Sequence, residues 1–178
     1  FSILSSLHSS AIKSKYHPST QPRCYDYIGI RNLSCICYMN SIVQQFYMCA
    51  LLRNAVLSID SDINDTFNQA QKLFSYLSLS NRSDVIPFDF VNSFSDIDIN
   101  AQQDANEFMI RFIDIIDTSL SKTIYKYVIN DIYKGKIAST ITCTSCGHVK
   151  RNEEEFTYIS LPLLHCHTLT ESISNFLA

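Results

Sequence analysis

The sequence predicts an α+β fold in which a helical part comes first and a β-rich part follows from about residue 130. Before that point, apolar residues recur at the three- and four-residue spacing of amphipathic helices in several stretches. After Ile129 the pattern changes, and the segment from Tyr133 to Thr142 alternates as a strand does. The composition, 46% hydrophobic and 17% charged over 178 residues, is that of a globular chain large enough for one core.

The first elements are predicted from composition and spacing. Residues 1–24 are rich in Ser, Thr, Lys and Pro without periodicity, which predicts a linker or an upstream segment. The segment from Tyr25 to Ile30 indicates a short extended stretch that leads into a loop. From Cys37 to about Leu57 there is no Gly or Pro, and the apolar residues predict one long helix. Those apolar residues are Tyr38, Ile42, Phe46, Ala50 and Leu51.

Two further helices are predicted before residue 130. The second runs from Asp62 to Leu79, and Asn81 to Pro87 interrupts the pattern after it. The third begins at Asp104, because an Asp at the N-cap followed three residues later by Glu107 is a helix-start signal. Its apolar face is formed by Phe108, Met109, Phe112, Ile113, Ile116 and Leu120.

The β-rich part is predicted to contain two strands around a cysteine turn. The strands are Tyr133 to Thr142 and Glu155 to Leu163, and Cys143 to His148 forms a knuckle between them. A last helix is predicted from Thr168 to Leu177, with Thr168 or Thr170 as its N-cap.

Charge and cysteine usage exclude several classes of function. The net charge of −3, without a basic block, argues against nucleic-acid binding, and no apolar run approaches the ~20 residues of a membrane span. Seven irregularly spaced cysteines in a chain of this size favour a reducing compartment over a disulfide framework. We therefore expect a cytoplasmic or nuclear protein. The chain starts at Phe1 without signal-peptide organisation, which suggests part of a longer protein.

The segment from Gly29 to Ser41 indicates catalytic chemistry. Cys37 stands where a loop meets the predicted first helix, and a helix N-terminus favours an anion such as the nucleophilic thiolate. Asn32, five residues earlier, is an amide donor of the kind that stabilises an oxyanion. The alternatives are a small buried cysteine and an asparagine that caps a turn.

This segment resembles the cysteine box of the ubiquitin-specific proteases, the papain-like deubiquitinases, which reads G-[LI]-x-N-x-G-x-T-C-[YW]-[ML]-N-S. Two positions depart from it, because Ser34 replaces a glycine and Ile36 replaces a threonine. The matching residues are Gly29, Ile30, Asn32, Cys37, Tyr38, Met39, Asn40 and Ser41.

Residues 102–108 resemble the second recognisable segment of the same family, Q-Q-D-A-x-E-F, and all six specified positions match. In that family the segment lies beside the groove for the C-terminal tail of ubiquitin, whose arginines an acidic side chain can bind. The resemblance therefore implies that Gln103 and Asp104 bind substrate. A capped amphipathic helix is the simpler interpretation of the same residues.

The resemblance implies a papain-like cysteine protease fold, with a helical thumb-like half over 25–129 and the start of a β finger/palm region over 130–178. It implies a cysteine-dependent deubiquitinase that hydrolyses the bond after the C-terminal glycine of ubiquitin. Cys37 would be the nucleophile and Asn32 the oxyanion donor, with no cofactor for catalysis. The partners would be ubiquitin or ubiquitinated proteins.

The general base is the part of this mechanism that the sequence does not supply. In the family a histidine in a C-terminal half takes that role, and none of the five histidines here lies in such a segment. The histidines are His8, His17, His148, His165 and His167. We therefore expect the chain to be an incomplete catalytic domain that is inactive in isolation. The alternative is a ubiquitin-binding module on the same fold that has lost catalysis.

The CxxC of Cys143 and Cys146 provides half of a tetrahedral zinc site, which needs two more ligands. In the family a second CxxC lies farther along the finger region, so a structural zinc is expected with only half of its ligands here. An alternative in which His165, Cys166 and His167 complete the site is less favoured, and we interpret them as loop residues.

Overall fold

The computed structural model describes residues 27–59 and 65–177, and the chain divides into two compact units, one ending at Ile129 and one beginning at Asn130. The predicted linker over 1–24 and the first residues of the predicted second helix lie outside the described residues. Among the described residues, no helix is both long and apolar enough to cross a membrane.

The first unit consists of helices and one small parallel sheet. Strand β1 (Gly29–Ile30) pairs in parallel with β2 (Asp84–Val85), so that Gly29 is opposite Asp84. The mixture of helices and small sheets agrees with the predicted α+β class. The helices are α1 (Cys37–Met48), α2 (Ala50–Ser58), α3 (Asp65–Leu79), α4 (Phe88–Asn92), α5 (Ala105–Leu120) and α6 (Val128–Tyr133), which starts in this unit.

The core of the first unit is built around stacked aromatic rings. Phe112 of α5 stacks on Phe46 of α1 with ring centroids 5.4 Å apart, and Phe90 of α4 meets Phe112 edge-on at 5.4 Å. Ring pairs of this kind contribute about 0.5–1.5 kcal/mol beyond the area that they bury. The apolar faces predicted for these helices therefore meet, and α1 is held against the helix that carries the second motif.

The prediction of one helix from Cys37 to Leu57 is wrong, because the chain breaks at Cys49. This residue adopts an extended conformation (φ −71°, ψ 104°) between α1 and α2. The break is stabilised from α2, where Arg53 donates a 2.9 Å hydrogen bond to the carbonyl of Tyr47 and lies over the Tyr47 ring. The guanidinium satisfies a carbonyl that the end of α1 leaves without an intrahelical partner.

The predicted start of the third helix is confirmed. Asp104 is the N-cap of α5, and its Oδ1 accepts from the backbone N–H of Asn106 at 2.7 Å and of Glu107 at 3.4 Å. The cap fixes the point at which the preceding loop enters the helix.

The second unit contains an antiparallel hairpin and a final helix. Strand β3 (Gly135–Thr142) pairs with β4 (Val149–Phe156), and the turn is closed by hydrogen bonds between Cys143 and His148 and between Gly147 and Cys143. The prediction of a strand from Glu155 to Leu163 is wrong, because β4 starts and ends earlier. The side chains of β4 are almost all exposed, so neither face of the strand needs apolar residues. The alternation of apolar and polar residues that would mark the strand in the sequence is therefore missing.

The last helix, α7 (Leu169–Leu177), is capped by Thr168, one of the two predicted residues. Thr168 Oγ1 accepts from the backbone N–H of Glu171 at 3.2 Å, while the Glu171 carboxylate accepts from the N–H of Thr168. This reciprocal pair is a capping box.

Candidate active site

The Cys37 side chain is exposed at the first position of α1, and both neighbours in sequence are buried. Ile36 has no exposed surface and Tyr38 has 4%, so these two side chains anchor the helix start in the core. Ile36, at the N-cap position, provides no side-chain hydrogen bond to the helix. The first backbone N–H groups of α1 therefore remain available to stabilise negative charge beside the thiol.

The loop before Cys37 is fixed at its upstream end by the small parallel sheet. The N–H of Arg31 donates to the carbonyl of Val85 at 2.8 Å, and Arg31 Nε forms a 2.8 Å ion pair with Asp84. Two polar residues of α1 bind the backbone on either side of β1. Asn40 donates to the carbonyl of Arg31 at 3.4 Å, and Gln44 donates to the carbonyl of Ile28 at 3.0 Å.

The structure brings the second motif onto the thiol through Gln102, a residue 65 positions away in sequence. The Gln102 side-chain amide lies against Cys37 Sγ, with Nε2 at 3.6 Å and Oε1 at 3.7 Å. The loop that carries Gln102 also binds residues 31–37, which we name the cysteine loop, because the N–H of Cys35 donates to the carbonyl of Ile99 at 2.7 Å. Cys37 and the second motif thus form one candidate site within the first unit.

Gln102 was not among the predicted substrate-binding residues, which were Gln103 and Asp104. Gln103 is half-buried, and Asp104 is exposed and serves as the N-cap of α5. Both capping bonds go to Oδ1, so Oδ2 takes no part in the cap. Among the described residues, the hydrogen-bonding contacts of the thiol are with Gln102 alone. The sequence does mark Gln102, because it is the first glutamine of the Q-Q-D-A-x-E-F motif over residues 102–108.

Asn32 lies exposed in the loop between β1 and α1, five residues before the thiol. The role of this residue as an oxyanion donor remains a prediction, since it concerns an atom that is present only during reaction.

The backbone accommodates serine at position 34, where the family has glycine. Among the described residues other than glycine, His165 is the one with positive φ, so Ser34 is not in a conformation that requires glycine. The Ser34 side chain is exposed, and its hydroxyl lies 3.9 Å from Cys35 Sγ.

Tyr38 carries a buried hydroxyl beside the site. Its ring packs edge-on against Phe108, with centroids 5.8 Å apart, and its oxygen has no hydrogen-bond partner among the described residues. Burial raises the pKa of Tyr38, and the nearby Asp96 carboxylate raises it further, so the phenol stays protonated.

The predicted zinc ligands Cys143 and Cys146 lie exposed in the turn of the β3–β4 hairpin. The pKa of Cys143 is lowered chiefly by hydrogen bonds from the backbone N–H groups of Cys146 and Ser145, which face its sulfur. Throughout the described segments, no three His, Cys, Asp or Glu side chains are grouped so as to hold a metal ion. His165, Cys166 and His167 are therefore not grouped with this turn, and its role as half of a zinc site stays a prediction.

Comparison with known proteins points to one family. The family model described as ubiquitin carboxyl-terminal hydrolase matches residues 28–175. The chain is 31% identical over 158 residues to ubiquitin carboxyl-terminal hydrolase 24 of Mus musculus and of Homo sapiens, an alignment that covers 84% of this chain and 6% of each relative. It is 28% identical over 158 residues to ubiquitin carboxyl-terminal hydrolase 26 of Arabidopsis thaliana, covering 84% of this chain and 15% of that protein.

Proposed function

The chain belongs to the ubiquitin carboxyl-terminal hydrolase family, and on this premise we propose that the protein is a cysteine-dependent deubiquitinase. Its reaction is hydrolysis of the peptide or isopeptide bond after the C-terminal glycine of ubiquitin. The observation that carries the proposal is the meeting of the two motifs, in which Gln102 lies on the exposed Cys37 thiol at the start of α1.

The reaction begins when the Cys37 thiolate attacks the carbonyl carbon of the scissile bond. Asn32 donates to the oxyanion of the tetrahedral intermediate, a contribution of roughly 3–4 kcal/mol for donors of this kind. A histidine of the C-terminal half of the domain takes the thiol proton, passes it to the leaving amine, and then activates the water that hydrolyses the thioester. The products are free ubiquitin and a released amine.

Substrate recognition is proposed for the residues at the start of α5. Asp104 uses Oδ1 to cap the helix and can accept an arginine of the ubiquitin tail at Oδ2, while Gln103 adds an amide beside it. The partners are ubiquitin or ubiquitinated proteins, encountered in the cytoplasm or nucleus.

The hairpin turn is proposed to contribute Cys143 and Cys146 to a structural zinc site, with two further ligands from elsewhere in the protein. The backbone N–H groups that face Cys143 support this assignment, because they stabilise a thiolate ligand. Zinc would hold the finger region together and take no part in catalysis. The zinc content of the full-length protein should be about one ion per chain, and Cys143→Ser should abolish it.

The test of the proposed activity is labelling of the full-length protein with ubiquitin that carries a thiol-reactive C-terminal group. A covalent adduct is expected for the wild type and for Cys35→Ala, and it should disappear in Cys37→Ala. The half-buried Cys35 is the matched control because it lies two residues away in the same loop. Reversible ubiquitin binding without any adduct would exclude the enzyme and favour a binding module.

A further inference from the structure

Residues 93–104, between α4 and α5, form a loop through which the two motifs meet; we name it the 93–104 loop. Two of its contacts reach the cysteine loop, one from the Ile99 carbonyl to the N–H of Cys35 and one from Gln102 to the Cys37 thiol. The position of this loop therefore determines what lies next to the thiol.

At its start, the 93–104 loop is attached to the core by Phe94. This ring has 4% exposed surface and packs against Phe90 at 5.2 Å and Phe108 at 5.5 Å. At its end, the loop enters α5 at the Asp104 cap. Between these two points the chain spans residues 95–103 and carries both contacts with the cysteine loop.

One side chain of α5 binds the 93–104 loop near its start, two residues after Phe94. Arg111 Nη1 forms a 2.7 Å ion pair with Asp96 Oδ2, and the guanidinium lies 5.0 Å from the centre of the Phe94 ring. Stacking on a buried ring orients the guanidinium, which reduces the conformational freedom lost on pairing. The hydrogen bond from Arg111 lowers the pKa of Asp96, so the pair is ionised at neutral pH.

We propose that Arg111 is a positioning residue for Cys37, which acts by holding Asp96 and thereby fixes the 93–104 loop against the cysteine loop. The inference rests on the proposed function, since it concerns the same thiol. Loss of the ion pair leaves Phe94 and the α5 cap in place but frees the segment between them, which carries the Ile99 and Gln102 contacts.

Arg111→Gln in the full-length protein should change two reactions of Cys37 in opposite directions. The reaction with the ubiquitin probe needs an aligned thiol and should slow by about two- to five-fold, the range expected for an exposed ion pair. Alkylation by iodoacetamide, followed at Cys37 by peptide mass spectrometry, should accelerate by about two- to five-fold, because the Gln102 amide no longer lies against the exposed thiol. Alkylation of Cys49 in the same sample should not change.

The matched control is Arg151→Gln, which removes the 2.9 Å ion pair between Arg151 and Glu153 on β4 and should leave both reactions unchanged. Exchanging the charges in a double variant, Asp96→Arg with Arg111→Asp, should restore the wild-type rates. Salt at about 1 M should screen the pair and bring the wild type close to Arg111→Gln without further effect on that variant.

The inference is overturned if Arg111→Gln leaves both rates at wild-type values, if Cys49 alkylation rises along with that of Cys37, or if the charge exchange fails to restore the rates. Failure of the proposed function is a separate result. In that case the wild type forms no ubiquitin adduct, while alkylation of Cys37 still reports whether Arg111 positions the thiol.

Discussion

Tyr38 shows how a single atom beside Cys37 can lower stability. Its buried oxygen has no partner among the described residues, and such a group retains a desolvation cost of about 1–3 kcal/mol. Tyr38→Phe removes the oxygen and keeps the ring on Phe108, so we expect the free energy of unfolding to rise by about 1 kcal/mol. Urea denaturation measures this, and Phe108→Leu, which removes the ring partner, should instead destabilise. A loss of stability in Tyr38→Phe would mean that the hydroxyl has a partner.

Ser34 raises a residue-scale question about activity, because the family has glycine there. The Ser34 backbone does not have the positive φ that favours glycine, and its side chain points to solvent. Ser34→Gly should therefore leave the rate of ubiquitin-probe labelling within about two-fold of wild type, since no strain is relieved. A gain of about ten-fold in that rate would show that serine obstructs the site and slows the reaction of Cys37.

At the scale of elements, Asp104 combines a helix cap with a proposed contact to substrate, and two substitutions separate these roles. Asp104→Ala removes the cap and should lower the free energy of unfolding by about 1 kcal/mol, measured by urea denaturation. Asp104→Asn keeps a capping oxygen, so its stability should stay close to wild type. Both should raise the KM for a ubiquitin substrate, because both remove the charge that an arginine binds. If Asp104→Asn leaves KM unchanged, the charge has no role in recognition.

The elements that the sequence predicts correctly are those whose signals are local. The starts of α5 and α7 are marked by an acidic or hydroxyl N-cap with a Glu three residues later, and both caps are present. The break between α1 and α2 contains no Gly or Pro. A hydrogen bond from Arg53 of α2 to the Tyr47 carbonyl of α1 stabilises it. Local spacing contains no information about such a contact.

The candidate site likewise combines residues that the sequence identifies with contacts that only the folded structure reveals. Cys37 and the second motif follow from dense motif matches, whereas the contact between Gln102 and the thiol joins residues 65 positions apart. Arg111 matches no motif, and its proposed positioning role follows only from the ion pair with Asp96 and the stacking on Phe94. A sequence pattern names the residues that react, but the residues that position them depend on tertiary packing.

At the scale of the whole molecule, burial is unevenly distributed between the two units. Among the described residues, all buried hydrophobic side chains lie between Ile28 and Ile129, in the first unit. In the second unit, large apolar side chains are exposed, including Ile141, Val149, Leu163, Leu164, Leu169 and Leu177. Because apolar burial is the main source of folding free energy, the first unit should account for most of the stability of the chain.

Amide hydrogen exchange of the 178-residue chain should reveal this difference directly. Amides of α1, α3 and α5 lie around the core and should exchange at rates set by global unfolding. The β3–β4 hairpin has two strands with little buried surface, a structure of marginal stability in water, and its amides should exchange at least about ten-fold faster.

Gly135→Ala provides a control within the hairpin. Its added methyl group would force the Phe156 ring across the strand pair to move, so this variant should accelerate exchange in β3 and β4 but not in α5. Equal protection of the hairpin and of α5 would show that the second unit obtains its stability from burial of its own.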